Sequence, residues 1–330
     1  MNWRDALVAA GAVPAAFAPP ASLGRTDLDD GALPGAELVE DPAVAIHPVP
    51  PHAVIPPACF LDGIAHWQVV GYDGVAPLVS AYVAAAARRR SAHRRLQTTL
   101  ERSRTFAVAP LGAMTPERRR ILEQHCADVV DIPLASFEGG AQPGRVLELA
   151  RRAVDGVRQI LERDVAERCL ATLGPDEWLL VDGLLSVSGK LAAHPRTLGV
   201  IKSHGAPFFE GADLERALTV PAAHRTSVFR ARGGHARNEV YSWYVRLWPW
   251  EGNDLLYGLL RVEARAAAAT IAAASGISAW LCAERAPLAT PDARWDRLLY
   301  PLHDVETYLK SRAPRHLRRP RGSRLPRTGT

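Results

Sequence analysis

The chain has little lysine, few cysteines and no long apolar run. Only three of its 330 residues are lysine, so arginine carries nearly all of the positive charge behind the net charge of +5. The four cysteines stand singly without a C-x-x-C pair, which excludes a zinc ribbon and argues against a disulfide framework. Apolar runs such as 81–87 and 266–274 are alanine-rich and too short to span a bilayer.

The N-terminal segment also lacks the pattern of a secretory signal. It is apolar, but Asp5 stands beside Arg4 and no basic region precedes an apolar core. We therefore expect a cytoplasmic protein that does not enter a membrane, with its cysteines buried as reduced thiols. A chain of this length can bury a substantial core as one large domain.

Arginine is clustered in two places. The first cluster is Arg88, Arg89, Arg90, Arg94 and Arg95, and the second is the segment after Lys310, which carries seven arginines and no acidic residue. An arginine bias also follows from a GC-rich genome. However, guanidinium groups suit phosphates, and arginine-rich arms often contact nucleic acid. The clustering therefore favours a nucleic-acid partner.

The apolar pattern predicts one central domain between two less regular ends. Residues 1–57 form a Pro- and Ala-rich extension with a short helix near 3–10, the domain covers 58–312, and 313–330 form a basic tail. Within the domain we predict strands at 58–61, 64–70, 75–87, 105–110, 177–183, 198–202, 239–247 and 255–264, and helices at about 116–127, 144–173, 265–275 and 302–312. This order predicts a mixed α/β (α+β) fold with one central sheet.

Two apolar strands end in Asp-Gly, at Asp62-Gly63 and at Asp182-Gly183. One interpretation is that these pairs make ordinary turns, with Asp62-Gly63 and residues 72–74 joining antiparallel strands. The other is that two carboxylates meet at the sheet edge, where they would repel each other unless a cation lay between them. Carboxylate oxygens favour Mg²⁺ or Mn²⁺, and two such ions can promote hydrolysis of a phosphodiester.

The order of six short motifs resembles that of the NurA nuclease family, whose domain is RNase H-like. The motifs are Asp62-Gly63, a helical glutamate at Glu167 or Glu162, Asp182-Gly183-Leu184-Leu185, Gly199 to Lys202, Tyr241 to Leu247 leading to Arg261-Val262-Glu263, and Tyr300-Pro301-Leu302. The resemblance covers roughly residues 58–312. It implies an RNase H-like central mixed sheet flanked by helices, in a metal-dependent enzyme that cuts DNA.

The resemblance also implies roles for individual residues. It assigns binding of Mn²⁺ or Mg²⁺ to Asp62, Glu167 and Asp182, completed by Asp304 or His303, and it adds Lys202 to the catalytic residues. Glu162 is the alternative to Glu167, and Glu306 is the further alternative in the last helix. The family usually has a small hydroxyl residue after the first Asp-Gly, whereas this chain has Ile64.

Aromatic and arginine side chains are concentrated near the predicted hairpin at 239–264. Bases of single-stranded DNA stack on aromatic rings, at roughly 1–3 kcal/mol each, and arginine binds phosphates. The predicted DNA-binding residues are Tyr241, Trp243, Tyr244, Arg246, Arg230 and Arg232. Core packing is the alternative for about half of the rings.

Segment 183–190 has the outline of a phosphate-binding loop, but five residues separate its glycines instead of four, and Leu191 stands where a Mg²⁺-binding hydroxyl is needed. We therefore expect no ATPase activity. The resemblance implies a homodimer that works with a HerA-type hexameric ATPase. It implies single-strand endonuclease and 5′-to-3′ exonuclease activity on single-stranded DNA or DNA ends, in DNA end processing or repair. The alternatives are a catalytically degenerate RNase H-like domain that binds DNA or protein, and a phosphoesterase acting on RNA.

Overall fold

The computed structural model describes residues 3–11, 13–14, 35–91, 93, 95–133, 143–204, 207–232, 238–251, 253–286 and 295–317. They form a large mixed sheet flanked by helices, so the predicted fold class, a mixed α/β fold with one central mixed sheet flanked by helices, is confirmed. No helix in these ranges combines the length and apolar character needed to cross a membrane.

The elements follow one another along the chain with these bounds. The strands are β1 (Val13–Pro14), β2 (Gly35–Leu38), β3 (Ile46–Pro48), β4 (Ala58–Asp73), β5 (Ala76–Arg90), β6 (Leu96–Ala109), β7 (Val129–Asp131), β8 (Trp178–Asp182), β9 (Thr197–Ile201), β10 (His224–Thr226), β11 (Phe229–Arg232), β12 (Val240–Arg246) and β13 (Leu259–Arg265). The helices are α1 (Trp3–Ala9), α2 (Pro116–His125), α3 (Pro143–Leu170), α4 (Gly189–Ala193), α5 (Gly211–Leu218), α6 (Ala268–Ala283) and α7 (Tyr300–Arg312).

The main path of the sheet runs β2-β11-β12-β13-β9-β8-β4-β5-β6-β7. Strands β4, β5 and β6 form an antiparallel meander, while β8 lies parallel to β4 and β9 lies parallel to β8. A parallel neighbour needs a long crossover, and α3 supplies it between the meander and β8. The predicted hairpin is present as the antiparallel pair β12 and β13.

Strand β4 passes straight through Asp62-Gly63, where the sequence predicted a turn. Asp62 pairs with Ala86, and Gly63 pairs with Ala85 on β5. The prediction of a turn was wrong because β5 is a long, alanine-rich partner, so the ladder continues past the Asp-Gly pair. The turn predicted at 72–74 is confirmed, with Gly74 at a positive φ of 59°.

Several strands are longer than predicted or were missed. Strand β6 begins at Leu96, well before the predicted start at residue 105. The extension 1–57 contributes short strands: β2 pairs with β11, and β3 pairs with β10. These segments were predicted to be irregular because strands of two to four residues carry too few positions for a periodic signal.

Helices cover both faces of the central sheet. Alternation along β4 directs Phe60 and Ile64 into a core with α6 and α7, and Cys59 and Leu61 into a core with α3. The thiols of Cys59 and Cys169 lie 3.4 Å apart in this second core as free cysteines. Strand β4 is thus buried on both faces. A ligand could therefore reach it only at strand ends and loops.

The three consecutive arginines at the end of β5 make ion pairs inside the fold instead of forming the predicted nucleic-acid cluster. Arg88 contacts Asp304 on α7, and Arg90 Nη2 lies 2.5 Å from Glu284 Oε1 after α6. Arg89 points to the other face, where its Nε lies 2.7 Å from Glu177 Oε1. The basic tail begins in contact with the domain, because Ala313 and Leu317 are buried. Arg94 and residues 318–330 lie outside the described residues.

Candidate active site

The candidate active site lies where β8 ends beside the longer strand β4. The two strands pair in parallel from Ala58 opposite Trp178 to Leu61 opposite Val181, and the next residues are Asp62 and Asp182. On the far side of β8, strand β9 ends at Ile201 and is followed by Lys202. Parallel strands bring their carboxyl ends to one edge, so these three predicted side chains meet. We call this place, defined by Asp62, Asp182 and Lys202, the β8 notch.

The carboxylate of Asp62 is enclosed by the fold. Its side chain is only 8% exposed, and its Oδ1 accepts a hydrogen bond of 2.7 Å from the backbone N–H of Gly63. Burial raises the pKa of Asp62 well above its ordinary value, and repulsion by Asp182, Glu162 and Glu306 raises it further. The group therefore lies in a site with excess negative charge.

Lys202 provides a fixed positive charge in the notch. Its Nζ lies 2.5 Å from Oδ2 of Asp182, and both side chains are about one-quarter exposed. Burial alone would lower the pKa of Lys202, but the carboxylates of Asp182, Asp62 and Glu306 outweigh burial and raise it above its ordinary value. The ammonium therefore stays charged at neutral pH and orients Asp182.

Glu162 of α3 completes the group from the other face of the sheet. It lies directly over Gly63, so a Cβ on that glycine would overlap its carboxylate. Arg158, one turn earlier, donates to Glu162 from 2.5 Å. Burial raises the pKa of Glu162 to about 7, because it outweighs the opposing effect of Arg158. Glu162 is thus poised to change charge near neutral pH.

The structure places Glu162, and not Glu167, at the notch, which corrects the leading prediction. Glu167 accepts hydrogen bonds from Ser188 Oγ at 2.8 Å and Lys190 Nζ at 2.9 Å, so it joins α3 to α4. Helical phase is the signal that distinguishes the two glutamates. At about 100° per residue, Glu162 lies roughly 60° from the core residue Val165, whereas Glu167 lies roughly 160° from it.

The last helix, α7, directs Glu306 towards the notch. Glu306 raises the pKa of both Asp62 and Lys202 by its charge, and its own Oε1 lies 2.7 Å from Lys310. Asp304, predicted as a ligand, instead pairs with Arg88 on β5. His303 lies 3.7 Å from Glu306 and is about one-third exposed. Glu306 therefore takes the place that the sequence had assigned first to Asp304 or His303.

Most of the predicted DNA-binding residues are buried, so they do not form an exposed stacking surface. Trp243 is fully buried with its indole N–H donating to Ser278, and Tyr244 is only 4% exposed. Arg246 is also fully buried and donates to the backbone carbonyls of Val220, Leu218, Tyr257 and Leu255. The prediction failed because β12 is an internal strand covered on both faces, a property that alternation alone does not reveal.

The remaining three predicted DNA-binding residues lie nearer the surface and have partners within the chain. Tyr241 is half-buried against the core and hydrogen bonds with Arg230. Arg230 lies 2.7 Å from Glu239 and 3.3 Å from Glu37, and Arg232 also contacts Glu37. These arginines join β11 to β2 and β12, and only Arg232 is largely exposed.

The notch contains carboxylates, the type of ligand that divalent cations such as Mg²⁺ prefer. Carboxylates from β4, α3, β8 and α7 converge there, and burial with mutual repulsion raises the pKa of Asp62 and of Glu162. A cation would relieve that repulsion, and hard oxygen ligands suit Mg²⁺ or Mn²⁺. Mg²⁺ commonly binds through one or two protein carboxylates together with water and phosphate, so an open arrangement of this kind fits such an ion.

A second acidic group lies elsewhere, at Glu40, Asp41 and His47. Among the residues described, these three have ligand atoms within 4.8 Å of one another and could hold a metal ion; the notch carboxylates are more widely spread. However, Glu40 already accepts two bonds of 2.7 Å from Arg225, and Asp41 accepts from both Ser227 and His47 at 2.7 Å. Because these donors occupy the carboxylates, we interpret the group as a structural network that fixes β3 beside β10.

Comparison with known proteins gives a fold-level similarity only. No family model matches the chain, and no curated protein matches its sequence. Among solved structures it is similar to the crystal structure of the NurA nuclease from Sulfolobus solfataricus, with a TM-score of 0.40 and 9% identity over 84% of this chain and 82% of that chain. We carry no site residue over from that structure to this chain.

Proposed function

We propose that this chain is a nuclease that hydrolyses phosphodiester bonds of DNA with the help of a divalent metal ion. The observation that carries the proposal is the convergence of Asp62, Glu162 and Asp182, from three different elements, on a notch that also contains Lys202. Buried carboxylates that repel one another destabilise a fold unless a cation lies between them. Such a group is therefore a candidate functional site. Their position at strand ends is a common one for binding sites in α/β sheets.

Asp62, Glu162 and Asp182 would hold Mn²⁺ or Mg²⁺, with Glu306 nearby to complete the shell. When bound, the metal supplies positive charge that favours attack by water and stabilises the charge that develops on the phosphate. The raised pKa values of Asp62 and Glu162 mean that both carboxylates bind protons in competition with the cation.

The protein residues around the notch supply orientation and charge. Lys202 fixes Asp182 through the 2.5 Å contact, and its ammonium can also donate to a phosphate oxygen. Arg158 holds Glu162 over Gly63 and so fixes the direction of that carboxylate. Each of these two cations thus contacts one of the carboxylates that would hold the metal.

We extend the proposal to the substrate and partners that the family resemblance implies. The substrate is single-stranded DNA or a DNA end, cut by single-strand endonuclease and 5′-to-3′ exonuclease activity during end processing or repair. The chain works as a homodimer with a HerA-type hexameric ATPase that supplies the DNA. The lack of a phosphate-binding loop in the sequence supports the need for a separate motor.

The test is cleavage of single-stranded DNA by purified protein with Mn²⁺ or Mg²⁺, compared with the Asp182→Asn variant. A matched control is Asp128→Asn, because Asp128 pairs with Arg104 on the surface away from the notch. We expect cleavage by the wild type and the control, abolished by EDTA and by Asp182→Asn. Cleavage by Asp182→Asn at the wild-type rate would mean that the site lies elsewhere.

Two further outcomes separate the alternative functions. Tight binding of DNA without cleavage by any folded variant would favour the degenerate binding domain. Cleavage of RNA but not of DNA, when both polymers are offered under the same conditions, would favour an RNA phosphoesterase.

A further inference from the structure

The loop that follows Asp182 is attached to a buried glutamate on another strand. Glu263 of β13 is 1% exposed, and its Oε2 accepts hydrogen bonds from the backbone N–H groups of Leu185 at 2.8 Å and Ser186 at 3.1 Å. Both donors therefore converge on one carboxylate oxygen, only three and four residues after Asp182.

Gly199 makes this attachment possible. Glu263 pairs with Gly199 on β9, and Gly199 pairs with Val181 on β8, so the three positions form one row across the sheet. A Cβ at Gly199 would stand 2.6 Å from the carbonyl oxygen of Gly183 and 3.0 Å from Leu185. Because this position has no side chain, the loop can cross β9 and reach the carboxylate of Glu263.

The charge of Glu263 is balanced within the fold. Its other oxygen, Oε1, accepts from Arg261 Nη1 at 2.8 Å, and Arg261 is also buried, with its guanidinium over the ring of Phe208. Both oxygens are thus bonded to protein donors, which fix the carboxylate between Arg261 and the loop. Glu263 contacts the loop and not the notch.

The backbone next to Asp182 needs such an anchor. Gly183 has a φ of +142°, a conformation that side-chain-bearing residues rarely adopt, and the chain leaves the ladder there. On its other side the loop is held by Asn238, whose Nδ2 donates to the carbonyl of Ser186 at 2.9 Å. Rigid support matters because a displacement of about 1 Å at a catalytic group can lower a rate by about 100-fold.

We propose that Glu263 is a positioning residue, which fixes the direction of the Asp182 carboxylate by holding the loop 183–186. This inference rests on the proposed function, since it assigns Glu263 a task in that same site. Glu263 itself lies outside the notch, on the far side of β9, and acts on Asp182 through the backbone of the loop.

The experiment compares Glu263→Gln with Glu284→Gln as a matched control. Glu284 is another buried glutamate that accepts from an arginine, Arg90, and from an N–H group, that of Trp280, but it does not contact the loop. The measurements are kcat and KM on single-stranded DNA, the affinity for Mn²⁺ from a titration followed by electron paramagnetic resonance, and the midpoint of thermal unfolding.

We expect Glu263→Gln to lower kcat and the Mn²⁺ affinity about 10- to 100-fold relative to the control, at an unchanged KM. Loss of a residue that orients a metal ligand typically has an effect of this size. Equal kcat and equal Mn²⁺ affinity in the two variants would overturn the inference. If Glu263→Gln does not fold, Glu263→Asp keeps the charge beside Arg261 but shortens the reach to the loop. The same two comparisons then decide the result.

The outcome also distinguishes failure of the inference from failure of the proposed function. If the wild type cuts no DNA under any condition, the nuclease proposal fails. The Mn²⁺ affinity still tests Glu263: weaker binding by Glu263→Gln than by Glu284→Gln supports the positioning role, and unchanged binding overturns it.

Discussion

Gly63 and Glu162 occupy adjoining space that admits no further atom. A Cβ built on Gly63 would overlap the carboxylate of Glu162, and it would lie 2.6 Å from its Cγ. The glycine on β4 thus allows the helix α3 to place a carboxylate beside Asp62. Asp-Gly pairs usually make turns. Here Asp62 supplies one carboxylate, and Gly63, which has no side chain, leaves room for the carboxylate of Glu162.

Replacing Gly63 by alanine should displace Glu162 and lower DNA cleavage at least about tenfold, since the displaced carboxylate loses its position relative to Asp62. The matched control is Gly156→Ala on α3, the helix that carries Glu162; a Cβ at Gly156 meets nothing within 4 Å. That control should stabilise α3 by up to about 1 kcal/mol and leave the rate intact. Rates of cleavage with saturating Mn²⁺ measure the difference, and equal rates for both alanine variants would contradict this account of Gly63.

The two glutamates of α3 should respond in opposite ways to conversion into glutamine. Glu162→Gln removes a charge from the notch, so we expect cleavage to fall about 100-fold or more. Glu167→Gln loosens only the contacts with Ser188 and Lys190, so the rate should stay within about twofold of wild type. Single-turnover cleavage assays on the two proteins decide between them, and the reverse ranking would restore Glu167 as the site residue.

The raised pKa of Glu162 predicts how the stability of the metal-free protein depends on pH. Its pKa moves from 4.5 to about 7 on folding, so the folded state binds the proton more tightly than the unfolded state. Stability from this group is fully present below pH 4.5 and is lost as the pH rises through 7. The shift corresponds to roughly 3 kcal/mol.

Urea unfolding with EDTA at pH 5 and at pH 8 measures this effect, with Glu162→Gln as the reference that cannot titrate. The variant should become more stable than the wild type as the pH rises between these values, and Mn²⁺ should restore the wild type at pH 8. A constant difference between the two proteins would show that Glu162 has an ordinary pKa.

Arg246 should contribute to stability and not to DNA binding. Its guanidinium joins the end of α5 to the turn before β13 through backbone carbonyls, so Arg246→Met leaves those carbonyls without a donor. We expect a loss of at least about 3 kcal/mol in the free energy of unfolding. Arg232→Met, at a largely exposed position, is the control and should change stability little. We expect the dependence of DNA affinity on salt concentration to be unchanged in both folded variants. A smaller slope of log affinity against log salt concentration for Arg246→Met would contradict this role.

The sequence predicted the placement of those candidate residues whose position depends on one strand alone. Asp182 ends one short apolar strand and Lys202 follows another, and parallel pairing brings such positions together without further information. Asp62 was found for a partly wrong reason, since β4 does not end there. Asp62 lies in the notch because its neighbour β8 ends there, a fact about another part of the chain.

The predictions that failed concern relations between distant elements. The choice between Glu162 and Glu167 follows from how α3 is rotated on the sheet, and the choice between Asp304 and Glu306 follows from where Arg88 meets α7. The aromatic residues of β12 were assigned to an exposed surface because alternation separates two faces but does not say that both are covered. In each case packing of remote segments decided the outcome.

The cluster at the notch draws on residues from position 62 to position 306, so it spans most of the chain. Strand β5 and helix α7 are also joined by Arg88 and Asp304, which are 216 residues apart in sequence. Contacts over such separations form late, because the cost of closing a long loop must be met first. During synthesis, therefore, Glu306 cannot join the carboxylates of Asp62, Glu162 and Asp182 until the ribosome has released α7, so a nascent chain lacks the complete group.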